Sequence, residues 1–340
     1  MTSMLARARF IIGALLLVFV VAIAAPVSAQ QARNPDTSVN PTASSVKEDQ
    51  LFQELNRITG RCTIPDQKAC TIEQPAGRDW RMFHEVWLRW IGGVAIVVIF
   101  ALLVIFYLWR GTMRLEHRSG RTMLRFTAFE RFVHWMTATC FVILAITGLN
   151  ITFGKPLLLP LIGASAFSGW SEAAKYAHNF LSFPFTIGVV LMFLMWIAQN
   201  LPTSVDVEWF KRAGGMLGGG EPPAYKFNAG QKMIFWIVAI GGGLAAVTGY
   251  LLLFPFYGTG IAGMQTSQVV HSVVGVLFVA VMLVHIYMGT LGQEGAFEGM
   301  GTGEVDVDWA KQHHSLWLEE EMEKSRAEAP SSRHAATPAE

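Results

Sequence analysis

His271 and His285 lie fourteen residues apart in one apolar stretch, VVHSVVGVLFVAVMLVHIYMGTL (269–291). As a helix that stretch is long enough to cross a bilayer. Fourteen residues advance ~21 Å and bring the side chain back to within ~40° of its starting direction. The two imidazoles therefore sit on roughly one side of the helix, one toward each membrane face. Imidazole is a haem-iron ligand, and ionisable side chains within a membrane are costly unless they have work to do. His134 and His178 lie on two further apolar stretches. Four histidines make two axial pairs, which predicts two haem b groups stacked across a membrane.

The elements that must position them are membrane helices. The chain has 340 residues, of which 52% are hydrophobic and 15% charged, and the apolar residues come in blocks. Spans are predicted at 86–109, 132–153, 178–198, 233–254 and 269–291. The predicted fold class is an all-α membrane protein: a four-helix transmembrane dihaem cytochrome b core (132–291) plus one extra N-terminal transmembrane helix (86–109). A net charge of +1 and the lack of a basic domain argue against a nucleic-acid partner. Three cysteines are too few for an iron–sulfur site, and no CxxCH offers covalent haem attachment.

Residues 1–29 read as an export signal: Arg7 and Arg9 precede the apolar run Phe10–Ala25, and Val27-Ser28-Ala29 offers a cleavage site. An uncleaved anchor helix is the other reading. Residues 30–85 form a polar periplasmic extension holding Cys62 and Cys70, which can pair as a disulfide outside the cytoplasm or stay as free thiols. The linker 110–131 carries Arg110, Arg114, Arg118, Arg121, Arg125 and Arg131, and the loop before the fourth span carries Lys211, Arg212, Lys226 and Lys232. Basic loops stay cytoplasmic. The N-terminus is then external, the tail 292–340 cytoplasmic, and the location the bacterial inner membrane. This orientation sets His134 level with His285 near the cytoplasmic face, and His178 level with His271 near the external face. Gly275 and Gly289, one turn past the two ligands of the last span, would make room for a macrocycle or serve ordinary helix packing. The glycine-rich run 292–303 reads as a flexible exit. His313 and His314 read as a docking surface or a solvated pair; His84 and His117 as interfacial or solvated.

Two haems carry electrons but exchange no hydride with a soluble substrate, so the donor must be a partner protein and the acceptor a quinone in the lipid. Tyr225–Lys232 enters the fourth span from the cytoplasm. Asn228 and Gln231 can donate and accept hydrogen bonds there, Gly230 allows close backbone approach, and His285 is on the same side. Asn228 is equally a helix N-cap, and the two roles are compatible.

With these pieces in place the chain resembles the cytochrome b (gamma) subunit of respiratory formate dehydrogenase. The residues that carry the resemblance are ERFVHW (130–135), His178 opening a helix, KFNAGQKMIFW (226–236), His271 and His285 followed by IYMG, and WAKQHH (309–314). It covers about 122–318; residues 1–121 add the export signal, the external segment and the extra span. The resemblance implies haem b on His178/His271 at the external level and on His134/His285 at the cytoplasmic level. It also implies a quinone site at Asn228, Gly230 and Gln231. The partners it implies are an iron–sulfur beta subunit and a molybdenum- or tungsten-containing catalytic alpha subunit, where formate oxidation occurs. A membrane hydrogenase cytochrome b and a haem-free anchor are the competing readings. An ion transporter is disfavoured, because no Asp, Glu or Lys lies near the centre of a span.

Overall fold

A computed structural model describes residues 77–217 and 220–328. The export signal, Cys62 and Cys70, and the tail beyond 328 lie outside the described residues. Among the described residues five helices are long and apolar enough to cross a membrane, and the protein is a helical multi-pass membrane protein. A short helical lead-in, Gly77–Met82 and Phe83–Trp87, runs into α1, Leu88–Arg110. The remaining spans are α2 (Ala128–Leu157), α3 (Leu159–Trp196), α5 (Ala229–Leu253) and α6 (Ile261–Tyr287), with a short α4 (Ser204–Lys211) between α3 and α5. Helices are the natural solution in lipid, since each satisfies its own backbone polar groups.

The helices extend past the apolar windows that announce them. The loop expected at 154–177 is mostly helix: α2 hands over to α3 at Leu158, and the chain bends where Gly163 takes φ 78°. His178 therefore sits well inside α3 rather than at its start. Hydropathy marks only the lipid-facing length, and polar turns can continue the same helix beyond it.

Both hairpins pack tightly, α2 along α3 and α5 along α6, and α3 lies against α5. α6 stays apart from α2 and α3 over most of its length. The extra helix α1 docks on α6, where Gly92 leaves room for Val276, and Arg89 Nε donates to Thr152 O at 3.2 Å.

At the arginine-rich end of the bundle, here the basic end, a polar cap folds over the helices. Strand β1 (Thr122–Leu124) pairs antiparallel with β2 (Glu304–Asp306), with Met123 opposite Val305. Helices α7 (Ala296–Gly301), α8 (Val307–His313) and α9 (Ser315–Glu328) complete it. Its core is Val305, Trp309, Ala310 and Trp317. Two expectations are corrected here. The glycine-rich run 292–303 is not a loose exit: Gly303, at φ 97°, accepts N–H bonds from Arg125 and Phe126 at 2.8 and 3.1 Å. A Cβ on Gly303 would stand 2.8 Å from Phe126 O, so only glycine fits. His313 and His314 are neither a docking surface nor solvated; they are 3% and 1% exposed. His313 bonds Glu221, and His314 closes the cap over the loop before α5.

A salt link and a set of hydrogen bonds fasten the linker 110–131 to the returning tail. Arg118 meets Glu294 at 2.5 Å, and that contact holds the Glu294 carboxyl below its ordinary range. Partial burial pushes Asp306 upward, but N–H groups of Asp308, Ser119 and Gly120 and the Ser119 hydroxyl hold it below the usual range.

Candidate functional site

Helix α2 opens with a capping box: Thr127 Oγ1 accepts from the Glu130 N–H, and Glu130 accepts from the Thr127 N–H at 2.8 Å. This fixes the first turn, and His134 follows on the second. The cap braces the same turn, with Arg131 donating to Gly301 O at 3.0 Å and Trp135 to Met300 O at 2.8 Å. His285 sits in the last turn of α6, back at the same end. The two imidazole centroids are 6.2 Å apart, with ring planes at 59°. Near the other end, His178 of α3 faces His271 of α6 at 6.1 Å and 73°. A metal held between two imidazoles, with each nitrogen about 2 Å away, separates the ring centres by roughly 6 Å. Both pairs have that separation, and both bridge helices whose backbones stay apart.

The pair at the far end has a further feature. Thr147 Oγ1 donates to Ile143 O at 2.7 Å, so its lone pairs are free to accept from His178 Nδ1 at 2.8 Å. Thr248 Oγ1 donates to Leu244 O at 2.6 Å and accepts from His271 Nδ1 at 3.1 Å, and Ala245 O takes the same N–H at 3.0 Å. With Nδ1 committed as donor, Nε2 of each ring is left as the basic nitrogen, which is what a metal requires. The next residue is glycine both times: a Cβ on Gly148 would stand 3.3 Å from the His178 ring, and one on Gly249 3.1 Å from that of His271. At Gly275 and Gly289, expected to make room for a macrocycle or to serve helix packing, a Cβ would meet nothing within 4 Å. Sequence reasoning overlooked the Thr-Gly pairs. A signal was there: the same dipeptide stands at the same depth in the second and fourth spans.

At the start of α5, Asn228 and Gln231 form a reciprocal capping box at 3.0 and 3.1 Å. Their amide oxygens are used in the box, and their NH2 groups make no hydrogen bond among the described residues. Gly230 serves a neighbour: the Trp209 indole of α4 lies on it, within 2.8 Å of where a Cβ would be. Lys232, one residue past the box, forms a buried ion pair with Asp206 at 2.8 Å. The structure gathers Asn228, Gly230 and Gln231 with Trp209 at the basic end; no hydrogen bond or ring contact joins them to His285.

The loop before α5 is held from below by a buried cation. Arg125 Nη2 donates to Lys226 O at 2.7 Å and to His314 Nε2 at 3.0 Å, and His314 Nδ1 donates to Tyr225 O at 2.7 Å. The Trp309, Trp317 and Phe126 rings lie 4.8, 5.0 and 5.3 Å from the guanidinium carbon, an aromatic cage for a cation. Burial lowers the Arg125 pKa to about 9. Burial and then the Arg125 charge hold His314 well below the ordinary imidazole value, so it is neutral.

The profile of prokaryotic cytochrome b561 matches residues 125–303, more than half of the chain and all four histidines of the facing pairs. The chain is 31% identical over 202 residues to the formate dehydrogenase cytochrome b556(fdo) subunit of Escherichia coli K12, covering 58% of this chain and 93% of that one. It is 28% identical over 218 residues to the nitrate-inducible formate dehydrogenase cytochrome b556(Fdn) subunit of the same organism, covering 63% and 97%. A Haemophilus influenzae formate dehydrogenase cytochrome b556 subunit is 28% identical over 214 residues, covering 62% and 87%. On the strength of that match and these helices, the chain belongs to the prokaryotic cytochrome b561 family, helical membrane cytochromes that carry electrons on haem.

Proposed function

We propose that this chain is the membrane electron-transfer subunit of a formate dehydrogenase, carrying electrons from an iron–sulfur partner across the bilayer to quinone. The observation that carries the reading is the two facing imidazole pairs, each near 6 Å between ring centres, in a chain 31% identical to a formate dehydrogenase cytochrome b subunit. His178 and His271 hold one haem b, and His134 and His285 the other. The haems supply reversible one-electron transfer when bound.

The chain's own residues do the rest. The basic end faces the cytoplasm, since Arg110, Arg114, Arg118, Arg121, Arg125 and Arg131 cluster there. Quinone docks at that end against Asn228, Gly230 and Gln231. The box turns the amide oxygens to the helix, so each NH2 is the group offered to a quinone carbonyl. Trp209, lying on Gly230, walls the same corner. Quinone reduction consumes two electrons and two protons, and protons drawn at this end come from the cytoplasm. The iron–sulfur subunit and the molybdenum- or tungsten-containing catalytic subunit dock at the far end.

The test is a pyridine haemochrome count on the purified chain, then reduction of the haem bands in membranes by formate and by hydrogen. Two haems per chain, reduced by formate and reoxidised by added quinone, are expected. Reduction by hydrogen alone would move the chain to a hydrogenase, and haem-free protein made with ample haem supply would leave it a bare anchor.

A further inference from the structure

The two histidine pairs differ in what holds the nitrogen away from the partner ring. At the far end each Nδ1–H is taken by a threonine whose own hydrogen is already committed to a carbonyl one turn back, at 2.7 Å for Thr147 and 2.6 Å for Thr248. Neither hydroxyl has a hydrogen to spare, so each acts on its histidine as an acceptor. His271 has a second acceptor in Ala245 O at 3.0 Å. At the basic end His134 Nδ1 is buried with no partner, and no hydrogen bond reaches His285 among the described residues.

We propose that Thr147 and Thr248 are positioning residues that set the far-end haem at the lower reduction potential of the two, so that electrons run downhill to the basic end. This rests on the dihaem reading above. An acceptor on Nδ1–H gives the imidazole partial imidazolate character and makes Nε2 a stronger donor. A stronger axial donor stabilises ferric over ferrous iron, and hydrogen bonding to axial ligands is one of the protein's levers on haem potential. Both histidines of the far-end pair carry the acceptor, and neither histidine of the other pair does among the described residues, so the two contributions would add in one direction. The Thr-Gly order matters too. Gly148 and Gly249 let each ring lie against the helix that bears its threonine, within 3.3 and 3.1 Å of the absent Cβ. A larger residue would push the ring off its hydroxyl.

The experiment is a potentiometric titration of the haem absorbance bands in the purified holoprotein, comparing wild type with Thr147→Val, Thr248→Val and the double variant. Valine keeps the shape and removes the acceptor. Two separate one-electron waves are expected in wild type, and the His134→Ala variant should retain only the lower one. Each single substitution should shift the lower wave upward, the double should bring it toward the upper wave, and Thr→Ser at either position should restore it. The upper wave should stay in place throughout. Single variants that keep both haems and titrate like wild type overturn the proposal, as does a shift confined to the upper wave, or a His134→Ala protein that keeps the upper wave. A wild-type chain with only one haem and one wave fails earlier, and refutes the dihaem reading rather than the role of the threonines.

Discussion

The two hairpins, α2–α3 and α5–α6, carry the same parts in the same places. Each opens on a capping box, Thr127/Glu130 or Asn228/Gln231. Trp135 and Trp236 follow eight residues past the N-cap, and a Thr-Gly pair begins twenty residues past it. Each second helix brings a histidine onto that threonine, His178 in one and His271 in the other. The hairpins part company at the basic end. Seven residues past the cap, α2 has His134 and α5 has Phe235; fourteen residues past the far-end histidine, α6 has His285 and α3 has Met192. Phe235 and Met192 pack in one apolar cluster with Trp196 and Phe227. The far-end pair thus joins equivalent residues of two similar hairpins. The basic-end pair uses one of two equivalent positions, and the other is filled with aromatic core. The difference leaves the basic end with one facing imidazole pair, on the α2/α6 side, which under the proposed dihaem reading would be the single exit for electrons.

The comparison breaks first if the far-end histidines are not equivalent. His178→Ala and His271→Ala are each expected to lower the haem content from two per chain to one and to abolish formate-driven quinone reduction. A haemochrome count that falls for one and not the other would end the symmetry. At the filled counterpart, Phe235→Ala should cost about 3–5 kcal/mol of stability, as a large buried aromatic does, while both haem spectra stay unchanged. Thermal melting followed at the haem band and at the helical signal checks both halves of that statement.

Much of this was legible in the sequence, for identifiable reasons. Spans and histidine depths follow from lipid thickness, which sets the apolar length of every spanning helix though not its full extent, so His134 could be set level with His285 by counting. The cap was not legible. His313 and His314 sit in a polar stretch, and polar residues read as solvated unless a partner far along the chain is known; here the partners are Glu221, Tyr225 and Arg125. Gly303 looked like flexibility for the same reason, although its φ of 97° and the N–H bonds it accepts from Arg125 and Phe126 make it a fixed corner. Thr147 and Thr248 were passed over because a lone threonine in a span carries no signal. Only the repeat, or the hydrogen bond itself, singles them out.

The two capping boxes offer a finer discrimination. Asn228→Ala and Thr127→Ala each remove an N-cap and should each cost about 1 kcal/mol. If Asn228 also presents its amide to quinone, only its variant should slow quinone reduction, with both haems retained in each case. Steady-state rates against quinone concentration decide it. Equal, small effects from the two substitutions would reduce Asn228 to a cap, and loss of a haem in the Asn228 variant would discredit its placement at a quinone site.

The smallest expected effect lies in how the cap holds the entrance to α5. His314 must be neutral to accept from Arg125 while donating to Tyr225 O, and burial keeps its folded pKa well below the ordinary value. When the cap opens, the ring regains a pKa of about 6.5. Above that pH neither state binds the proton and the closed cap is undisturbed. As pH falls below it, the open state takes up a proton that the closed state refuses, so closure weakens by about 1.4 kcal/mol between pH 7.5 and 5.5, roughly tenfold in opening. Glu294 and Asp306, held below their ordinary ranges, lend stability that is lost only at more acid pH, through the carboxylate range. Hydrogen exchange at Trp317, whose N–H donates to Ala224 O at 3.3 Å, reports the opening once corrected for the intrinsic pH dependence of exchange. The excess opening at pH 5.5 should vanish in His314→Gln, which cannot titrate. If it persists, another group governs the cap, and the loop that carries Asn228 is not held by the neutral imidazole.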